Sequence, residues 1–140
     1  MNVPVIQTDR GGFATWHGPG QLVVYPVVNL PRMGATVPAF VQRLGEVMEQ
    51  VCRVLGAREA RYDCARPGVY VDGAKVGAIG LHIHRGITTH GLALNANCSL
   101  DGFQAIVPCG LSGVGVTTLS LLCGRDIDVA ELTDLILEHW

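Results

Sequence analysis

The stretch GVYVDGAKVGAIGLHIHRGITTHGLALN, residues 68–95, decides the fold. Asp72-Gly73 lies between two apolar runs, VYV and AKVGAIG. An Asp-Gly pair in that setting is a strong signal for a two-residue type I′ hairpin, because both residues accept positive φ. Arg85-Gly86, between LHIH and ITTHGLALN, is a weaker signal of the same kind. Together they predict a three-stranded meander over 68–97. Upstream, Phe40, Val41, Leu44, Val47, Met48, Val51, Cys52 and Leu55 recur at helical spacing, with Arg43, Glu46, Glu49 and Arg53 on the other side. Thr36 and Pro38 suit its start and Gly56 its end, so 36–56 is predicted as a helix. QLVVYPVV, residues 21–28, reads as a strand at an edge or ending near Pro26. DRGGFATWHGPG, residues 9–20, reads as a structured loop. A short helix is expected at 117–123, and a last one from an Asp128 cap through Val129, Leu132, Leu135 and Ile136. Strands clustered centrally with helices outside them predict an α+β fold, a mixed or antiparallel sheet flanked by helices and covered on one face.

The 140 residues suit a single domain over 1–140. A 49% hydrophobic and 16% charged composition excludes a disordered polyelectrolyte. Net charge −2 and 6% aromatics argue against nucleic-acid binding by counterion release or base stacking. Gly makes up 18 of 140 residues, well above a usual share of about 7%. The excess marks tight turns and close approach to the backbone. No run reaches the roughly 18 apolar residues of a membrane span, and Met1-Asn2-Val3-Pro4-Val5 does not read as a signal peptide. Five Cys, an odd number without a CxxC pair, suggest free thiols in a reducing cytoplasm.

Nine of the ten basic residues are Arg; Lys75 is the one Lys. A compact amine that can transfer a proton is what Arg cannot supply. Lys75 sits in an apolar strand where alternation places Gly77, Ile79 and Leu81 on its own face. An edge-strand Lys that blocks sheet-to-sheet pairing is the plainer alternative. Cys109 follows Ile106-Val107-Pro108 and precedes Gly110, on a turn where a thiol is reachable. To attack a carbonyl it needs a cation or base nearby, and Lys75 and the histidines are the candidates. Cys52 faces a helix core, Cys98 and Cys123 suit packing, and Cys64 is open to either reading. His82 and His84 alternate on one strand face, but no third and fourth ligand completes a zinc site, so no metal is expected. His17 stands in a loop held by Gly and Pro. If the Arg85-Gly86 hairpin is regular, His90 pairs with Leu81 on the Lys75 face. Ala78, Gly80, Gly91 and Ala93 then form a small-residue groove on the opposite face, suited to an alkyl chain or flexible arm. One bulge would undo that register. No P-loop or G-x-G-x-x-G motif indicates a nucleotide, so no cofactor is expected.

RGGFATWHGPGQ (10–21), GAKVGAIGLHIHRGITTHGLALN (73–95) and PCG (108–110) resemble, in order and spacing, the lipoyl(octanoyl) transferases, also called lipoate-protein ligase B. The resemblance runs from Val5 to about residue 124. It implies the α+β catalytic domain of biotin and lipoate protein ligases. It implies transfer of an octanoyl group from acyl carrier protein to a lysine of lipoyl domains, those of 2-oxoacid dehydrogenases and the glycine cleavage H protein. Cys109 matches the family nucleophile, which forms an acyl-thioester, and Lys75 the residue that favours its thiolate. Arg10, Gly11, Gly12, Phe13, Ala14, Thr15, Trp16 and His17 match the family's acyl-binding stretches, as do Ala78, Ile79, Gly80, Gly91, Leu92 and Ala93. His90 is a supporting candidate. Phe13 replaces a usually polar residue, and Trp16 a usual Tyr or Phe. The family's segment before the Arg-Gly-Gly loop is missing, so the resemblance implies a domain truncated at its N-terminus. Two alternatives to a transferase stand beside it: an inactive fold that only binds a carrier or lipoyl domain, and a Cys/His thioesterase.

Overall fold

Two tight turns fold the middle of the chain back on itself. Asp72 and Gly73 have φ of 49° and 79°, and Arg85 and Gly86 repeat both values. Positive φ at both central residues is the type I′ geometry, whose twist matches that of the flanking strands. The computed structural model describes residues 4–104, 106 and 114–140. In chain order the elements are β1 (Gln21–Val24), α1 (Leu30–Met33), α2 (Val37–Val54), β2 (Arg61–Asp63), β3 (Gly68–Val71), β4 (Ala74–His84), β5 (Ile87–Asn95), α3 (Asp101–Gln104), α4 (Leu119–Cys123) and α5 (Val129–His139). The strands form one sheet in the order β1-β5-β4-β3-β2, and every strand pair is antiparallel. The predicted meander is therefore β3-β4-β5, and the predicted α+β architecture holds. β1 ends at Val24, two residues before Pro26, and occupies an edge as its proline suggested.

α2 starts where Thr36 Oγ1 accepts the Ala39 N–H at 3.4 Å. Its apolar stripe buries Phe40, Leu44, Val47, Met48, Val51 and Cys52. Gly56, at φ 114°, carries the chain away from it. α5 is capped by Asp128, whose Oδ1 accepts the Glu131 N–H at 2.8 Å, and it buries Leu132 and Ile136. Thr118 caps α4 in the same manner. The core lies between these helices and one sheet face, supplied by Leu22, Val69, Val71, Val76, Leu92 and Leu94. Burial of each Leu side chain there contributes about 1.5–3 kcal/mol.

The other sheet face carries the Gly-rich loop of residues 9–20, and one irregularity decides what it presents. Val69 pairs with Gly77, yet Tyr70 pairs with Lys75, so Val76 is an extra residue in β4. The bulge resets the alternation. Val76 turns fully into the core. Lys75 emerges on the face of Ala78 and Gly80, its Nζ 5.3 Å from the centroid of the Tyr70 ring. The expectation that Lys75 shares a face with Gly77, Ile79 and Leu81 is thus corrected. Gly77 backs onto the core. A side chain there would strike Met48 and the Leu94 Cδ1 of the core.

Candidate active site

The loop that leads into β1 is laid on the sheet by its backbone. The Gly11 N–H donates to the Leu81 carbonyl at 3.0 Å. Gly80 makes this approach possible, because a Cβ on it would lie 2.8 Å from Gly11 O and 2.9 Å from Arg10 Cδ. At Gly80 the small-residue groove is therefore filled by the chain's own main chain. Arg10 curls back on the loop, donating to the Gly11 carbonyl at 2.7 Å and the Phe13 carbonyl at 2.5 Å. Gly12 takes φ 92°, and the Phe13 ring stands in solvent. Trp16 packs edge-on against Phe103 of α3, with ring centroids 5.2 Å apart. Its ring fills the places that side chains at Gly18 and Gly102 would take.

Asp9 fastens the start of the loop. Its Oδ1 lies 2.8 Å from His90 Nε2 and its Oδ2 lies 3.6 Å from His82 Nε2. The hydrogen bond from His90 holds the Asp9 carboxyl below the usual carboxylate range. His90 pairs with Leu81, as the hairpin register predicts. It does so with φ 58°, a conformation rare for a residue with a side chain. Its ring reaches the same Asp9 as His82, which alternation puts with Ala78 and Gly80, and it meets Tyr25 edge-on at 5.5 Å. The Asp9 contact and the positive φ were not legible in the sequence.

Farther along the same face is a largely apolar cavity holding about 590 Å³ of space, part of it open to solvent. Ala14 and Thr15 of the loop line it, with Gln21 of β1 and Ala93 and Asn95 of β5. β4 contributes Lys75, Gly77 and Ala78. Phe103, Ile106, Val114 and Val116 close the remaining wall. A shallower cleft adjoins it, sharing Thr15, Ala78 and Ala93 and adding Arg10, His17, Tyr25, Ile79, Gly80, Gly91 and Leu92. Lys75 is fixed by its backbone: its N–H donates to Gly115 O at 2.8 Å, and its carbonyl accepts the Thr117 N–H at 3.0 Å. Residues 115–117 thus run alongside the start of β4, beyond the end of β5, in an isolated parallel bridge between Lys75 and Val116.

A buried amide joins the two halves of the site. Asn95 is only 3% exposed. Its Nδ2 donates to the Thr117 carbonyl at 3.0 Å, and its Oδ1 accepts from Gln21 Nε2 at 2.8 Å. Gln21 Oε1 in turn lies 2.6 Å from His17 Nδ1. Sequence reading missed Gln21, Asn95 and Thr117, although Asn95 is a polar residue ending an otherwise apolar strand.

Cys109 lies outside the described residues, so its distance from Lys75 is not described. Ile106, three residues before it, and Val114, five residues after it, both line the cavity that holds Lys75. The other cysteines sit elsewhere. Cys52 and Cys98 are buried and Cys64 is exposed. Burial pushes the Cys52 thiol up to about 12 and raises those of Cys98 and Cys123. Among the described residues no group of three His, Cys, Asp or Glu side chains could hold a metal ion. No helix among them is long and apolar enough to cross a membrane.

An antiparallel sheet with helices on one face is the fold this chain shares with biotin and lipoate protein ligases. Biotin protein ligase from Aquifex aeolicus matches with a TM-score of 0.65 and 18% identity, over 86% of this chain and 51% of that one. A protein from T. acidophilum assigned as a lipoate protein ligase matches with a TM-score of 0.65 and 17% identity, over 93% of this chain and 53% of that one. Sequence narrows the class further. The model of the lipoyl protein ligase A/B catalytic domain matches residues 1–140, and the chain belongs to that family. Among curated relatives, the octanoyltransferase of Nocardia farcinica is 46% identical over 139 residues, covering 95% of this chain and 55% of the relative. That of Mycobacterium sp. (strain KMS) is 48% identical, covering 95% and 58%. That of Mycobacterium leprae (strain TN) is 46% identical, covering 97% and 60%. The chain thus spans little more than half the length of these relatives.

Proposed function

We propose that this chain carries the acyl-transfer site of an octanoyltransferase, in which Cys109 accepts an octanoyl group from an acyl carrier protein and passes it to a lysine of a lipoyl domain. The observation that carries the reading is the convergence on Lys75. The described residues on either side of Cys109, Ile106 and Val114, line the same cavity as the one Lys of the chain. Three residues of extended chain reach about 10 Å. In the proposed reaction the thiol acts at that cavity.

In the first half-reaction the Cys109 thiolate attacks the carbonyl of the donor thioester. The new C–S bond forms and the carrier thiol leaves, so an already activated donor needs no nucleotide. An ordinary thiol, with a pKa near 8.5, is mostly protonated at neutral pH. An ammonium at Lys75 favours the thiolate. The acyl tail lies between Ala78, Ala93 and the apolar wall of Phe103, Ile106 and Val116. Removing six methylenes from water at about 0.8 kcal/mol each gives about 5 kcal/mol as an upper bound. In the second half-reaction the acceptor amine attacks the thioester, the C–N bond forms and the C–S bond breaks, Cys109 leaves as thiolate, and the surplus amine proton goes to Lys75, neutral after giving its own proton to the departing carrier thiol.

Incubation with octanoyl carrier protein, followed by intact-mass analysis, tests this. One octanoyl mass is expected on the wild-type chain, localised to Cys109 by peptide mapping and absent from Cys109→Ser. A folded chain with no adduct overturns the reading. An adduct released as free octanoate, even with a lipoyl domain present, assigns a thioesterase instead.

A further inference from the structure

Trp16 is held in a slot bordered by two glycines. A Cβ on Gly18 would lie 2.1 Å from its Cζ2 and 2.2 Å from its Cη2. One on Gly102 would lie 2.1 Å from its Cε2 and 2.3 Å from its Nε1. The indole therefore occupies volume that only glycine at both positions leaves free. The ring is half-buried and meets Phe103 edge-on, with centroids 5.2 Å apart. Phe103 lines the Lys75 cavity, whereas Trp16 is not among the residues that line the cavity or its adjoining cleft. The tryptophan thus backs a cavity residue without entering the cavity. α3, which carries both Gly102 and Phe103, is a single turn of four residues. A helix that short holds its place only through what it packs against.

We propose that Trp16 is a positioning residue that limits the acyl length the cavity accepts, by fixing the Phe103 ring as part of its wall. The inference rests on the function proposed above and deepens its choice of substrate, a straight medium-chain acyl group. On the sheet side, Ala78 and Ala93 are directly paired across β4 and β5 and present only methyl groups to the cavity. Both strands are interior to the sheet, so that floor cannot retreat. Phe103, carried on one helical turn, is the part of the wall that can move. Trp16 stops it from moving back, and the main chain at Gly18 and Gly102 stops Trp16 in turn. Room for further methylenes must therefore come from the Phe103 side. The device acts on the binding of the tail alone and leaves the chemistry of transfer as it is.

Calorimetric binding of free octanoate, decanoate and dodecanoate measures the cavity without any reaction. Each methylene that finds a buried place is worth roughly fourfold in affinity. The wild type should bind octanoate and gain little from the longer acids; a wild type that binds none of them overturns the inference. Trp16→Phe frees space behind Phe103 and should raise the decanoate-to-octanoate affinity ratio by roughly 4- to 15-fold, for one or both added methylenes. Phe103→Leu, acting at the wall itself, should raise the ratio in the same direction. Leu44→Ala weakens the core on the other sheet face and should leave the ratio where it is. An unmoved ratio in Trp16→Phe or Phe103→Leu, or an equal rise in Leu44→Ala, overturns the inference. Urea denaturation tests the size match separately. Gly102→Ala should cost more stability in the wild type than in the Trp16→Phe background, and equal costs count against the slot. With octanoyl and decanoyl carrier protein as donors, the rates of adduct formation should show the same change in ratio. Absence of an adduct from every donor instead defeats the proposed function and leaves the fatty-acid result standing.

Discussion

Replacing Gly80 by Ala should lift the Arg10-Gly11 segment from the sheet while leaving the fold intact. The added methyl would lie 2.8 Å from Gly11 O and 2.9 Å from both Cδ and Nη1 of Arg10. The side chain can swing away, but the carbonyl moves only with the loop, and with it goes the 3.0 Å bond from Gly11 N–H to Leu81 O. Overpacking of this kind costs about 1–3 kcal/mol, and the lost hydrogen bond, at about 0.5–1.5 kcal/mol, overlaps only the lower end of that range. Each 1.4 kcal/mol is about tenfold in an equilibrium. Exchange of the Gly11 amide should therefore accelerate roughly 5- to 100-fold. Gly73→Ala is the control. It meets nothing within 4 Å but keeps φ 79°, so its cost is backbone strain, about 1–2 kcal/mol. The two variants should lose similar global stability in urea, yet only Gly80→Ala should deprotect Gly11 and slow acylation. Unchanged Gly11 exchange in Gly80→Ala would refute the argument that this glycine exists to admit the loop.

Lys75→Met should move the pH midpoint of Cys109 alkylation up towards the ordinary value of about 8.5, measured by iodoacetamide labelling and peptide mass; an unmoved midpoint removes Lys75 from the reaction. Buried Cys52, with its thiol pushed up to about 12, should resist the same reagent until the chain unfolds, whereas exposed Cys64 should label readily. Carbon-13 NMR of Asp9 should give a midpoint below the ordinary carboxylate value of about 3.9. The sign follows: its contribution to loop anchoring is present above that ordinary value and is lost as pH falls through the lowered one. In Asp9→Asn the anchoring should no longer vary with pH in that range. Leu44→Ala removes a fully buried side chain of α2 and should cost about 2–5 kcal/mol in urea denaturation.

Local chemistry made much of the fold legible. The Asp72-Gly73 and Arg85-Gly86 turns need only two residues that accept positive φ, and α2 needs only its apolar period. β2 was missed because three residues carry no period; it is held by β3 and by Glu49, which accepts the Tyr62 N–H at 2.6 Å. The helices α1 and α3, four residues each, were missed for the same reason. The face of Lys75 was misread because alternation looks unbroken through AKVGAIG, and the extra residue shows only in the pairing of Tyr70 and Val69. The amide chain was invisible for another reason. Gln21 and Asn95 are 74 residues apart, and only the pairing of β1 with β5 brings them opposite each other.

The bulge at Val76 also explains how a lysine can stand in the middle of this sheet. Without it, alternation would point Lys75 at the helix-covered face, towards Met48 and Leu94, where Gly77 already leaves no room for a methyl group. An ammonium buried there without a partner would cost several kcal/mol. Inserting one residue gives the core position to Val76, which is fully buried, and turns the amine to the opposite face beside the Tyr70 ring. There its backbone is gripped by residues 115–117, the same segment whose Thr117 carbonyl anchors Asn95. One irregular residue thus keeps the core apolar and places the amine on the same frame as the hydrogen-bond chain of Asn95, Gln21 and His17.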